Sequence, residues 1–279
     1  MSATSQAALA PRIPLSMRTR GKIRAHFAAE GGRTRIEKLY ETGGWRLKHP
    51  NPHAGCEAVI LNTGGGLASG DCVNLAFSLG AGADVTLTTQ AAEKVYRGGP
   101  AAELAVTIDL SEAARLHYLP QETILFEGAH LRRRLTVEMA ANASALFVEM
   151  AFFGRLARGE TCMRGAFRES WRIRRAGKLL FADETSLDGE IGALLDRPAI
   201  GRGARAVALL VFVDPQAETR LAALRAECGR HANLVEAGAS AFNGMLVARF
   251  AAPLPEALRA AMVPALVSLR GRAPPRVWL

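Results

Sequence analysis

Between residues 61 and 71 the chain reads LNTGGGLASGD, the stretch that comes nearest to a phosphate-binding loop. The dinucleotide fingerprint, counted from Gly64 and Gly66, requires a third glycine where Ser69 stands. A P-loop requires lysine and a hydroxyl residue after its last glycine, yet Gly70 is followed by Asp71 and Cys72, and Asp71 would repel phosphate. The run therefore reads as a tight turn between strands, its glycines serving positive φ or close backbone contact. His49-Pro-Asn-Pro-His53, with Cys56 nearby, offers borderline or soft ligands for a metal, but its prolines exclude a helical histidine pair on one face. It reads as an exposed loop, with a loop ligand set of His49, His53 and Cys56 as the alternative. Arg132-Arg133-Arg134 opens a strand and reads as a solvated edge or a protein contact. No histidine of the six lies in a GxSxG or HExxH context, so no catalytic set emerges and the chain reads as a non-enzyme.

Three acids stand out by their neighbours: Asp71 (Gly70-Asp71-Cys72), Glu149 (Val148-Glu149-Met150) and Asp183 (Phe181-Ala182-Asp183). An acid in such a strand lies at an exposed edge or faces a polar interior, because an unpaired buried charge is costly. Pairing with the plentiful arginines is the simpler explanation for any one of them.

The elements that must carry these residues repeat. NLAFSLGAGADVTLTTQ (74–90), LAVTIDLSEAARLHYLPQ (104–121) and RLTVEMAANASALFVEM (134–150) each form an alternating apolar run, a turn of small residues and a second alternating run. Leu79, Leu110 and Met139 align before the turn, and Ala83, Ala114 and Ala143 after it. Val85, Leu116 and Ala145 follow, then Leu87, Tyr118 and Phe147. A fourth segment, SWRIRRAGKLLFADETSL (170–187), shows the same strand, turn and strand. The near-constant spacing favours stacked β-coils, each covering the next, over an antiparallel sandwich of hairpins. In the C-terminal third, 204–214 and 244–250 read as strands. A helix follows Asp214 and Pro215, with Gly229 as its stop, and a second runs from Glu256 to Leu269 around Pro264. The fold expected is mainly β: a flexible arm over 1–22, a stacked β-coil (β-helix-like) domain over 23–203, and an α/β portion with two helices over 204–279, packed on the same domain.

Composition agrees with a folded globule: 49% of residues are hydrophobic and 22% charged. The four cysteines are scattered, without a CxxC pair, and the N-terminal segment has no apolar core of a signal peptide. The expectation is reduced thiols in a cytoplasm. No stretch of about 18 uninterrupted apolar residues predicts a membrane span. The net charge of +9 points either to an Arg-rich soluble protein or to an acidic partner. A basic nucleic-acid-associated β-protein is the alternative reading, although aromatics are only 6% and none interleave the arginine run to stack bases.

Five motifs in order resemble the UreD (UreH) family of urease accessory proteins. They are TGGGLASGD with Gly65, Gly66 and Gly70; LTTQAAEKVYRG with Lys94, Tyr96 and Arg97; YLPQETILFEGA with Pro120 and Gln121; FFGRLARGE with Gly154, Arg155 and Glu160; and the ending PPRVW. The likeness runs from about Arg24 to Trp278. Phe-Phe before Gly154, in place of the usual Cys-Leu, and Ala92 depart from the pattern. The resemblance implies a β-helical domain with C-terminal helices, and complexes with UreF, UreG and the urease apoprotein in a larger symmetric hetero-oligomer. It implies no tightly bound cofactor and no nucleic-acid or membrane partner. It further implies that nickel, carried by the GTPase UreG, passes through in transit towards the enzyme. It also gives Asp71, Glu149 and Asp183 a purpose, as weak oxygen ligands along a path for a divalent cation.

Overall fold

The computed structural model describes residues 18–50 and 56–278. The chain enters with an antiparallel hairpin, β1 (Arg20–Glu30) and β2 (Arg33–Thr42), then β3 (Trp45–Lys48) and β4 (Cys56–Asn62), also antiparallel. The strand start at Arg20 corrects the boundary expected for the arm. Gly21 extends the buried alternation of Ile23, Ala25 and Phe27, so Arg20 to Lys22 belong to β1. The rest of that arm, 1–17, lies outside the described residues.

Three coils follow. Each has a long strand, a corner, a second strand in an opposing sheet and, in the first two, a short third strand. They are β5 (Cys72–Leu79), β6 (Asp84–Thr89) and β7 (Glu93–Val95); β8 (Ala102–Leu110), β9 (Arg115–Leu119) and β10 (Thr123–Leu125); and β11 (Ala129–Met139) with β12 (Ser144–Phe153). Equivalent strands pair in parallel, and the register is the one read from the repeat. Leu79 lies opposite Leu110 and Leu110 opposite Met139; Leu116 lies between Val85 and Ala145, and Tyr118 between Leu87 and Phe147. The corners stack as well. Within them Ala83, Ala114 and Ala143 each donate their N–H three residues back, at 3.1, 3.1 and 3.3 Å. Between them Ser111 N donates to Leu79 O (3.0 Å) and Ala140 N to Leu110 O (2.9 Å). β12 runs without a break through the place of a third strand, so that Thr123 of β10 lies between Glu93 and Ala151.

The fourth segment is not a fourth coil. β13 (Gly165–Arg175) continues the first sheet in parallel with β11, but β14 (Lys178–Gly189) folds back beside β13 in the same sheet. Ala176 (φ 51°) and Gly177 (φ 74°) both take positive φ, the requirement of a two-residue hairpin turn that reverses the chain instead of carrying it around a corner. The vacant side of β12 is taken by β15 (Ala206–Val213), antiparallel, after a short unanticipated helix α1 (Ile191–Asp196). Beyond β15 come α2 (Leu221–Arg230), β16 (Glu236–Phe242), β17 (Met245–Ala252) and α3 (Pro255–Arg270). The sheets thus read β14-β13-β11-β8-β5-β1-β2 and β16-β17-β15-β12-β9-β6-β4-β3, antiparallel elements closing the parallel stack at both ends.

The two sheets are patterned differently. In the first, β8 alternates buried and exposed residues, as a sheet with one solvated face must. In the second, β12 and β15 are buried on both faces. Their inner face joins the core between the sheets, where Phe147 meets Trp171 edge-on at 6.3 Å. Their outer face, with Leu146, Val148 and Leu210, is covered by α2 and α3 through Leu224, Leu258 and Leu266. The first helix is shorter than expected. Asp214 Oδ1 accepts the N–H of Gln216 at 2.8 Å, but residues Ala217–Arg220 form a 3₁₀ turn, and α2 starts at Leu221 and ends one residue past Gly229. The C-terminal tail is tied to the second sheet: Trp278 Nε1 donates to Leu119 O at 3.0 Å. Among the described residues no helix is long and apolar enough to cross a membrane.

The corner alanines are almost wholly buried where the sheets meet, so a branched side chain there overpacks the bend. Ala114→Leu, in the middle coil, is expected to lower stability by roughly 1–3 kcal/mol, read as a fall in denaturant midpoint at unchanged slope. An unchanged midpoint would mean that the corners have room to yield.

Candidate functional site

Most family-type motifs turn out to be two halves of the same joints. The glycine loop joins β4 to β5 and packs against the segment after β7. Leu67 N donates to Lys94 O (2.7 Å), Tyr96 N to Leu67 O (2.9 Å) and Tyr96 Oη to Gly65 O (2.9 Å). At Gly66 (φ 155°) a Cβ would stand 2.5 Å from the Tyr96 ring, which is why that position takes no side chain. Several of the amides a phosphate would use are already engaged: Gly64 N with Asn62 Oδ1 (3.0 Å), Gly65 N with Asn62 O (3.3 Å) and Ala68 N with Asp71 Oδ2 (2.8 Å). Asp71 is 5% exposed, and its other oxygen accepts Thr19 N at 2.8 Å. It closes the loop, next to Gly70 (φ 78°), and fastens the start of β1. Arg97 bridges to Ala129 across the next corner.

The other motifs behave alike. After Pro120, Gln121 donates through Nε2 to Val277 O and accepts Arg259 Nη1 at Oε1 (2.8 Å), so it anchors the C-terminal tail. At Gly154 (φ 105°) a Cβ would meet Glu160 O at 2.4 Å. Arg155 Nε donates to Glu160 Oε2 at 3.0 Å, and its guanidinium lies 4.4 Å from the Phe126 ring centroid. The hydrogen bond from Arg155 holds the Glu160 carboxyl below its ordinary range.

The possible metal loop is less promising. His49 is partly buried, while His53 lies outside the described residues. Cys56 is buried in β4, and burial pushes its thiol up to about 11, so it stands protonated at neutral pH. Cys162 is likewise pushed up to about 12. Among the described residues no group of three or more His, Cys, Asp or Glu is spaced to hold an ion.

The acids converge elsewhere. Where the parallel stack gives way to hairpins the two sheets part around a cavity of about 500 Å³. Glu149 of β12, Glu169 of β13, Asp183 of β14 and Glu236 of β16 line it, with Arg249 of β17 and apolar walls such as Phe153 and Phe250. Two of the three acids singled out from sequence, Glu149 and Asp183, therefore share one site, and Asp71 is not among its lining residues. Both are paired with arginines. Asp183 meets Arg249, and Glu149 lies 2.6 Å from Arg133.

Arg133 and Glu169 are the residues that sequence reading missed. Arg133 is 3% exposed, which corrects its reading as a solvated or partner-facing residue. It shares the inward face of β11 with Leu131 and Leu135, whereas Arg132 and Arg134 point outwards. Its Nε donates to Glu169 Oε1 (2.6 Å) and its Nη1 to Thr123 Oγ1 (2.7 Å). The period-2 alternation of HLRRRLTV and of FRESW would have found both residues. Glu149, 4% exposed, also takes a hydrogen bond from the Tyr118 hydroxyl. Burial raises the Glu149 carboxyl to about 7, against the pull of Arg133 and with repulsion from Glu169 adding to the rise. One guanidinium against two carboxylates leaves this buried cluster one positive charge short whenever both acids are ionised.

The family model described as UreD urease accessory protein matches residues 19–279. The chain belongs to the UreD family. Similar members are the urease accessory proteins UreD of Methylobacterium sp. strain 4-46, 49% identical over 96% of this chain and 97% of that one, and of Beijerinckia indica, 46% identical over 94% and 97%. That of Rhodopseudomonas palustris strain BisB5 is 43% identical over 98% and 96%. In this UreD chain the glycine, Tyr96, Gln121 and Gly154 motifs hold corners and tail together, and the interior acids stand apart from them.

The raised Glu149 carboxyl has a definite sign. A carboxyl whose folded pKa exceeds the ordinary 4.5 favours the folded state below that value, and the contribution is lost as pH rises through about 7. Relative to Glu149→Gln, which does not titrate, the wild type is expected to lose on the order of 2–3 kcal/mol between pH 4.5 and 7. Denaturant midpoints of both proteins across that range check it; a constant difference would mean that Glu149 is ionised throughout.

Proposed function

We propose that this chain is a urease maturation factor of the cytoplasm. It acts as a scaffold that binds the accessory proteins UreF and UreG and the urease apoprotein within a symmetric hetero-oligomer, and it assists nickel delivery to the enzyme. Nickel is cargo in transit. The observation that carries the reading is the cavity between the sheets, where Glu149, Glu169 and Asp183 face one space.

The chemistry of the site suits passage. A divalent cation entering a cluster one positive charge short is attracted, and each carboxylate it meets is already held by a guanidinium, Arg133, Arg249 or, for Glu236, Arg202. The cation therefore competes with a resident counter-charge at each step, which keeps every stop weak enough to leave. Cys56 and Cys162, held protonated by burial, do not offer the thiolates that would trap nickel. The GTPase step belongs to UreG, in keeping with a glycine loop several of whose amides are engaged internally.

The test is Glu149→Gln, Glu169→Gln and Asp183→Asn in the full chain, scored separately for co-purification with UreF, UreG and apo-urease and for urease activation at limiting nickel. Normal assembly with activation reduced about ten-fold, the loss of one carboxylate's contribution of roughly 1.4 kcal/mol at the limiting step, is expected for at least Glu149 and Asp183. Full activation by assembled variants would end the transit reading. Failure to assemble would make the acids structural.

A further inference from the structure

A second polar pocket lies on the opposite side of the second sheet, and the transit reading makes no use of it. It occupies about 400 Å³ where the end of α3 overhangs β6 and β9. Arg115, Arg220, Arg270 and Arg272 line it, with His117, Ser144 and the carboxylates Asp84 and Asp214. Four guanidiniums thus face two carboxylates.

Neither carboxylate neutralises the centre of the pocket. Asp214 is engaged at both oxygens, accepting Ser144 Oγ at 2.7 Å and Gln216 N at 2.8 Å. Asp84 stands loosely between Arg115 (3.5 Å) and Arg272 (3.7 Å) at the rim. The Arg220 side chain makes no hydrogen bond or ion pair among the described residues.

Arg270 is the decisive residue. It is the last residue of α3, and Gly271 in the left-handed region (φ 65°) turns the chain so that Arg270 and Arg272 approach the same spot on the sheet. Arg270 Nη1 donates to Ala273 O (2.6 Å), Nε to His117 Nδ1 (3.3 Å) and Nη2 towards Thr86 Oγ1 (3.5 Å). Arg272 Nη2 reaches the same two acceptors, Thr86 Oγ1 at 3.2 Å and His117 Nδ1 at 3.3 Å. Every hydrogen-bond partner of Arg270 is neutral; Arg272 repels it, while Glu57 and Asp84 attract it without touching it. His117 cannot supply a charge of its own: burial and the arginines Arg270, Arg272 and Arg115 hold it down to about 3. Burial and Arg272 likewise bring Arg270 down to about 10, still charged at neutral pH. A partly buried guanidinium set beside a second one, with no carboxylate in contact, is an arrangement that an external anion relieves.

We propose that this pocket binds a phosphate-type oxyanion. Two adjacent guanidiniums with planar forks match the oxygens of a phosphoryl group, and Arg115 and Arg220 close the rim over it. Because Arg270 lies recessed beneath that rim, a compact oxyanion reaches it where a broad acidic surface does not. The same chemistry fits free phosphate and the phosphoryl group of a nucleotide.

The test uses the full-length protein, with ³¹P NMR titration of inorganic phosphate and, separately, of a nucleoside 5′-monophosphate, at ionic strength held constant with chloride. Saturable binding is expected. Arg272→Gln should weaken it about ten-fold, as loss of a charge-assisted contact does, and the exposed Arg220→Gln about three-fold. Arg132→Gln, an equal loss of charge on the outer face of the first sheet, should leave it unchanged. Arg272 and Arg220 are both exposed, so folding is not in question for these variants. Tighter monophosphate binding assigns the site to a nucleotide, and equal or tighter binding of inorganic phosphate assigns it to the free ion. Absence of saturation, or an equal response in Arg132→Gln and Arg272→Gln, overturns the proposal.

Discussion

Parallel coils stack only if every corner lies directly over the one before it. A strand that is one residue out would turn its apolar set to the wrong face along its whole length. Here the corners are held by backbone bonds from one to the next, Ala140 N to Leu110 O and Ser111 N to Leu79 O, and by alanines small enough for the bend. Both sheets inherit their register from these corners. So do the rows that stack Leu87, Tyr118 and Phe147 between the sheets, and the outer rows on which the helices rest. The motifs that mark the family mostly serve this constraint. Gly66 with Tyr96, Gln121 with Val277 and Gly154 with Glu160 each pin the return path of a coil or the tail that covers it.

Three coils cannot end by themselves, because a parallel stack presents open strand edges. Antiparallel strands at both ends solve this. At the C-terminal end the solution also opens the molecule, since β13 and β14 stay in one sheet while β15, β17 and β16 extend the other. The space between them is lined by the acids that an apolar core could not otherwise hold. Burying Arg133 with Glu149 and Glu169 is weak support for stability, because desolvation opposes the pairing. The cluster lies at the foot of an open cavity, where the proposed cation path would meet it.

The architecture was legible to the extent that it is local. Alternation with a small-residue corner identified the three coils and their register, and the C-terminal strands β15 and β17 and the helix α3 followed from pattern. The segment 170–187 has the same alternation, yet Ala176 and Gly177 at positive φ make it a hairpin, and pattern alone does not distinguish a corner from a reversal. Asp71 and Glu149 looked equivalent, as acids among apolar or small neighbours. One accepts backbone amides in a loop, and the other meets a guanidinium in the interior.

The sequence by itself determined the class of fold, the coil register, the failure of the glycine loop as a phosphate cradle and the family likeness. Each of these rests on residues near one another in the chain, where side-chain period and turn chemistry act directly. Only the tertiary structure decided which charges meet. Arg133 reaches Glu169 across neighbouring strands, and Arg270 reaches Thr86 across a separation of 184 residues. Such encounters depend on which sheet a strand joins and where a helix ends over it. Local propensity does not encode those outcomes, which come from burying the remaining apolar faces together.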